Sequence, residues 1–281
     1  MDKIWTLILK EARDGFRNRW VIMMTLIMTG LALTLSLLGS APTGTTSVEP
    51  LAVIVVSLSS LSIFFIPLIA LLLSYDSVVG EAERGTLTLL LTHPISRTQV
   101  IIGKFIGHLF LLAVAIIIGY GVAGVTVSVS GSLTGGTGFA GQEWQSFLKL
   151  LLSSVILGAV FLSIGYVISA GARERGTAAA LAIGIWLLFV LLYDMALLAL
   201  LASNSGGAID GSFVKWLLLL NPADSYRMFN LTSSNATALL SGMAGLSADN
   251  RAPDASLISI MLLWIIIPLI TACAIFKRRQ L

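Results

Sequence analysis

The chain has 281 residues, 57% of them hydrophobic and 11% charged, with a mean hydropathy of +0.96; this excludes an ordinary soluble domain and predicts an integral membrane protein. The formal net charge is +3, and its distribution follows a membrane topology rather than a nucleic-acid surface. A single cysteine, Cys273, excludes an intramolecular disulfide and a cysteine-based metal site.

Residues 1–19 open the chain as an amphipathic lead. At about 100° per residue, Lys3, Lys10, Arg13 and Arg17 share one helical face, while Ile4, Trp5, Ile8, Ala12 and Phe16 share the other. This predicts an elbow helix in the headgroup plane from which the first span hangs; the simpler reading is that these cations only set topology. The long apolar run that follows fits a retained helix better than a cleaved signal peptide.

Six apolar runs, about 20–39, 51–74, 100–130, 147–171, 176–202 and 256–276, each reach the roughly 20 residues that a helix needs to cross a ~30 Å hydrocarbon layer. None alternates polar and apolar residues as barrel strands do, so the fold class is all-α and polytopic. Of 17 Lys and Arg residues, five lie in 1–19, three in 75–104, two in 172–175 and three in 277–281. The positive-inside rule therefore places both termini in the cytoplasm.

Between the second and third spans, Asp76 to Lys104 reads DSVVGEAERGTLTLLLTHPISRTQVIIGK. A bare connection needs no such sequence. It begins acidic, runs through a short helix with Leu87, Leu90 and Leu91 on one face, and stops at Pro94. A short amphipathic helix held under the bilayer is a docking element, and its acidic start also suits a helix N-terminus.

On the outer side the connections from Gly39 to Pro50 and from Gly131 to Gln142 are short or Gly-rich. Residues 203–255 are different. The apolar run Trp216 to Leu220, followed by Asn221-Pro222, is too short to span and is expected to rest on the surface or re-enter partway, where short helices could meet a partner.

Other candidate chemistry is weak. Gly119 to Gly124 matches GxGxxG only formally, inside an apolar span, so its glycines are expected to serve helix packing, as are Gly103 and Gly107. There is no Walker-type phosphate loop, so any ATP is hydrolysed by another subunit. His93 and His108 lack ligand-spaced companions, and Met23, Met24 and Met28 suit packing better than a copper site. Asp194 is the one acid deep in a span, with no basic partner inside the membrane; it reads either as part of a transport path or as a residue near the outer interface. A membrane enzyme acting on lipids would need an interfacial cluster of His, Asp or Glu, and none stands out.

Glu81, Glu83, Gly85, Thr86, Leu87, Leu90, Leu91, Pro94, Ile95, Ser96, Arg97, Gly103 and Lys104 resemble, in kind and order, the segment between the second and third spans of type-2 ABC transporter permeases. Asn221-Pro222 with Asp224, Tyr226 and Arg227 resembles that family's Asn-Pro motif before the last span. The likeness extends over the whole chain and is strongest to permeases that serve maturation of nitrous oxide reductase. It implies a coupling helix carried by Glu81, Glu83, Arg84, Gly85, Thr86, Leu87, Leu90, Leu91 and Pro94, seated in a groove of a separate ATPase. It further implies a homodimer in the bacterial inner membrane, two ATPase copies, ATP used only through them, and a periplasmic partner supporting copper–sulfur centre assembly. Trp216, Asn221, Pro222, Tyr226 and Arg227 are then expected at the contact with that partner, or at a gate, with Asp194 on a possible path. A rival reading within the family is export of an apolar or amphiphilic small molecule.

Overall fold

The structure is a computed structural model that describes residues 2–17, 19–39, 50–92, 95–133, 141–203, 211–231 and 253–279. In chain order the helices are α1 (Asp2–Arg17), α2 (Arg19–Gly39), α3 (Pro50–Ser74), α4 (Val79–Glu83), α5 (Thr86–Leu91), α6 (Arg97–Leu133), α7 (Gly141–Gly171) and α8 (Arg175–Leu187). A π-helical turn at Leu188–Leu192 joins α8 to α9 (Tyr193–Ser203), followed by α10 (Gly211–Leu220), α11 (Pro222–Leu231) and α12 (Asp254–Arg278). Among the described residues there is no strand.

Among the described residues five helical runs are long and apolar enough to cross a membrane: Val55–Glu83, Arg97–Thr126, Trp144–Gly171, Arg175–Leu200 and Asp254–Arg278. In α2 the apolar stretch Thr25–Leu35 is shorter. The protein is thus an all-helical, multi-pass membrane protein, its backbone hydrogen bonds closed within each helix as a lipid environment demands.

α7 is the axis of the bundle, packed against α3, α6, α11 and α12. Its Leu157, Val160, Phe161 and Tyr166 are buried with Ile63 and Ile66 of α3, Leu112 and Ile116 of α6, and Ala272 and Phe276 of α12. Lipid is as apolar as these side chains, so close packing rather than expulsion of water holds such helices together. Small residues make that possible: a Cβ at Gly158 would stand 2.1 Å from the Leu112 side chain, and one at Gly165 would stand 1.9 Å from Ser74 Oγ.

α1 packs on the bundle through α6. It runs alongside the first turns of α6, with Gly103 over Leu7, Gly107 over Glu11 and Gly15 over Leu111, each pairing separated by the same interval in sequence. The glycines of α6 let the two backbones approach, so α1 is packed lengthwise rather than crossing at one point. The formal GxGxxG serves the same purpose: Gly119 lies against the backbone of Met28 and Thr29, and Gly124 against the ring of Phe147.

Candidate functional site

Residues 76–92 form a cap under the bundle. After α3, the backbone N–H groups of Val78 and Val79 both donate to Ser169 Oγ at the end of α7, at 2.9 and 3.2 Å. Gly80 has no room for a side chain, since a Cβ would fall 2.0 Å from Asp76 Oδ1. Gly85, at φ 70°, turns α4 into α5 through the left-handed region that glycine enters without strain. Thr88 then ties its hydroxyl to the Gly85 carbonyl at 2.7 Å.

Two charged side chains, Lys104 and Arg175, bind this cap to the rest of the chain. Lys104 of α6, 2% exposed, donates to Glu81 at 2.8 Å and to Glu11 of α1 at 2.9 Å. Arg175, at the start of α8, binds Asp76 through Nε at 2.6 Å and Nη2 at 2.9 Å, and its backbone N–H donates to Glu83 at 2.7 Å. Behind Glu11, His108 Nε2 lies 3.8 Å from its second oxygen and shares a 2.7 Å hydrogen bond with Tyr166 through Nδ1. Burial alone would raise the Glu11 pKa; the charge and hydrogen bond of Lys104, with smaller help from His108 and Lys10, together outweigh it and hold the carboxyl below its ordinary value. A polar pocket of about 240 Å³ opens between these groups, lined by Glu11, Asp76, Glu81, Lys104 and His108 among others.

The cap residues singled out from the sequence divide into two sets. Glu81 turns inward onto Lys104, and Leu87 is 1% exposed, packed into the bundle core rather than offered outward as the apolar stripe suggested. Glu83, Arg84, Gly85, Thr86 and Thr88 are exposed and make up the outward face. The side chains of Leu90 and Leu91, together with His93 and Pro94, lie outside the described residues. Sequence reasoning passed over Asp76, Lys104 and Arg175 as site residues. For Lys104 the signal was a lysine set within an apolar run, which demands an acid partner.

A second polar cluster lies at the other end of the bundle. Asn221 precedes α11, its Oδ1 accepting the Ala223 N–H at 3.0 Å while Pro222 takes the first helical position. Its Nδ2 donates to the Phe189 carbonyl in the π-helical turn and to Asp224, both at 3.0 Å. Tyr193 donates to the Leu217 carbonyl at 2.6 Å. The expectation that Asp194 has no basic partner is corrected here: Arg227 binds it at 2.7 and 3.3 Å, and binds Asp224 at 3.0 Å. The pair was hidden because Arg227 sits on a segment assigned to the outer surface, whereas α11 folds back onto α3, α7 and α12. Burial pushes the Asp224 carboxyl up to about 7 despite the Arg227 charge, with Asp194 adding to the rise.

Asn221, Pro222 and Tyr226 are therefore interior groups, Tyr226 reaching Ser154 at 2.9 Å. Arg227 is partly buried in its ion pairs. Trp216, 71% exposed on α10, is the residue of that set that faces outward. Deeper in the bundle Ser62 is hydrogen-bonded to Tyr120. Among the described residues no group of three His, Cys, Asp or Glu side chains is placed to hold a metal ion.

Comparison with known proteins agrees with this architecture. The profile of the ABC-2 family transporter proteins matches residues 5–281. The chain is 43% identical over 279 residues, 99% of either chain, to a protein of Stutzerimonas stutzeri described as a probable ABC transporter permease protein NosY. It is 40% identical over 286 residues, the full length of both, to a protein of Pseudomonas aeruginosa with the same description. Permeases are transport subunits rather than enzymes. The cap beneath the bundle, the ion-paired helices above it and these full-length matches lead to one assignment: the chain belongs to the ABC-2 family and is a permease subunit of an ABC transporter.

Proposed function

We propose that this permease is a mechanical transducer of the bacterial inner membrane, acting as a homodimer with two copies of a NosF-like ATPase and a NosD-like periplasmic protein. Its task on this reading is assembly of the copper–sulfur centre of nitrous oxide reductase. ATP enters only through the ATPase, and the permease itself binds no cofactor. α2 serves as a sixth span, both termini lie in the cytoplasm, and α1 moves with the first span as an elbow. The two similar proteins, both described as NosY, support the nitrous oxide reductase context.

The observation that carries the mechanism is how the run Arg175–Leu200 is held. Little of its apolar length is buried within the chain, yet it is fastened by polar bonds at both ends. Below, Arg175 holds Asp76 and Glu83 of the cap; midway, Trp186 donates to the Phe64 carbonyl at 2.9 Å; above, Asp194 and Tyr193 hold α10 and α11. A push on the cap as the ATPases close would pass along this helix to the outer segment. Such a rod, loosely packed along its sides and pinned at its ends, is the kind of element that moves as a body between two arrangements.

The test is affinity purification of the chain from its native membrane in mild detergent, with co-purifying proteins identified and ATPase activity assayed. Recovery of an ATPase and a periplasmic protein in matched amounts is the expected result. Recovery of the ATPase alone would favour plain export, and recovery of neither would overturn the transducer.

A further inference from the structure

A groove of about 920 Å³ runs beside α1, and no part of the coupling path uses it. It is lined by Leu9, Lys10, Arg13 and Phe16 of α1 and by Phe110 of α6. Phe16 and Phe110 meet edge to face at 6.4 Å and both remain exposed. Because α1 runs in the same direction as α6, cations come first and aromatic rings follow on the way from the chain's start toward the first span. That order matches a phospholipid of the inner leaflet, headgroup below and acyl chains above.

The charges say which kind of lipid. Lys10 stands 3.5 Å from Glu11 and 3.9 Å from Asp14, so its charge is partly compensated. Arg13 has no ion pair among the described residues, and the groove's own side chains, Lys10, Arg13 and Asp14, leave one positive charge over. A free phosphate would leave the Phe16–Phe110 wall uncovered, and a zwitterionic lipid would bring its own cation against Arg13. We propose that this groove is a binding site for one anionic phospholipid, its phosphate on Arg13 and Lys10 and its acyl chains along Phe16 and Phe110. The site is independent of the transducer reading.

The experiment is native mass spectrometry of the full-length chain in detergent, titrated with palmitoyl-oleoyl phosphatidylglycerol or with the phosphatidylcholine of the same chains. One phosphatidylglycerol per chain is expected, retained about tenfold over phosphatidylcholine. Arg13→Gln together with Lys10→Gln should abolish that preference, and Phe110→Ala should weaken retention of both lipids. Asp14→Asn removes the opposing charge and should strengthen retention, a gain that damage to the fold would not produce. Equal retention of the two lipids by the unaltered chain, an unchanged preference in the Arg13/Lys10 variant, or a loss in Asp14→Asn would each overturn the site.

Discussion

Lys104 and Glu81 stand 2.8 Å apart across the junction between the cap and the bundle, and the same ammonium holds Glu11 of α1 at 2.9 Å. One nitrogen thus joins three separately folded pieces of chain. A displaced cap must either carry α6 and α1 with it or leave a buried charge without its partner, which is costly.

Replacing Lys104 by Met should therefore destabilise the protein by about 3 kcal/mol or more, because two carboxylates are left facing each other without their cation. Replacing all three, as Lys104→Met with Glu11→Gln and Glu81→Gln, should recover much of that loss. Thermal unfolding in detergent reads both; a triple variant no better than the single one would show that the ion pairs are incidental.

The outward face of the cap should act differently. Arg84 is exposed and its distance from Asp76 is 3.8 Å, so Arg84→Glu should change stability by no more than about 0.5 kcal/mol. It should nevertheless weaken ATPase binding several-fold. Gly85→Ala should cost about 1 kcal/mol, because its backbone lies at φ 70°. Pull-down with the ATPase, set beside unfolding curves, separates docking from folding.

At the opposite end of the bundle from the cap, Arg227→Met should loosen α11, seen as faster amide exchange across 222–231. Asp194→Asn should do so less. If the two residues act as a pair, the double variant will be milder than the sum of the two, with a coupling of about 1–3 kcal/mol.

Asp224 gives a pH test. Its folded pKa, raised to about 7 from 3.8, means that the folded state holds a proton which the unfolded chain has released above pH 4. Its contribution to stability is full below about pH 4 and is lost as pH rises toward 7. Between pH 6 and 8 the melting temperature should fall by a few degrees, on the order of 3 °C. Asp224→Asn should flatten that part of the profile, and an unflattened profile would assign the dependence to another group.

Much of this architecture is legible in the chain. Long uncharged runs can only be helices in lipid, and the helix-packing role of Gly103, Gly107, Gly119 and Gly124 follows from small residues within such runs. What could not be read was which face of a short helix turns inward. Leu87 looked like part of a docking stripe because an amphipathic pattern marks a buried face without saying what buries it; here the bundle does. Asp194 and Arg227 stayed unmatched for a related reason, since pairing across a long connection depends on that connection folding back. Lys104 carried its own clue, as a buried cation needs a carboxylate, but its choice of Glu11 and Glu81 depends on how α1 lies along α6.

The π-helical turn at Leu188–Leu192 sets the phase of everything beyond it. Its widened turn takes one more residue than an α-helical one, and one residue is worth about 100° of rotation. Asp194 meets Arg227 only in that rotated frame. Removing a single residue from the turn would leave the helix continuous and as apolar as before, yet would swing the carboxylate a quarter-circle and more away from the guanidinium.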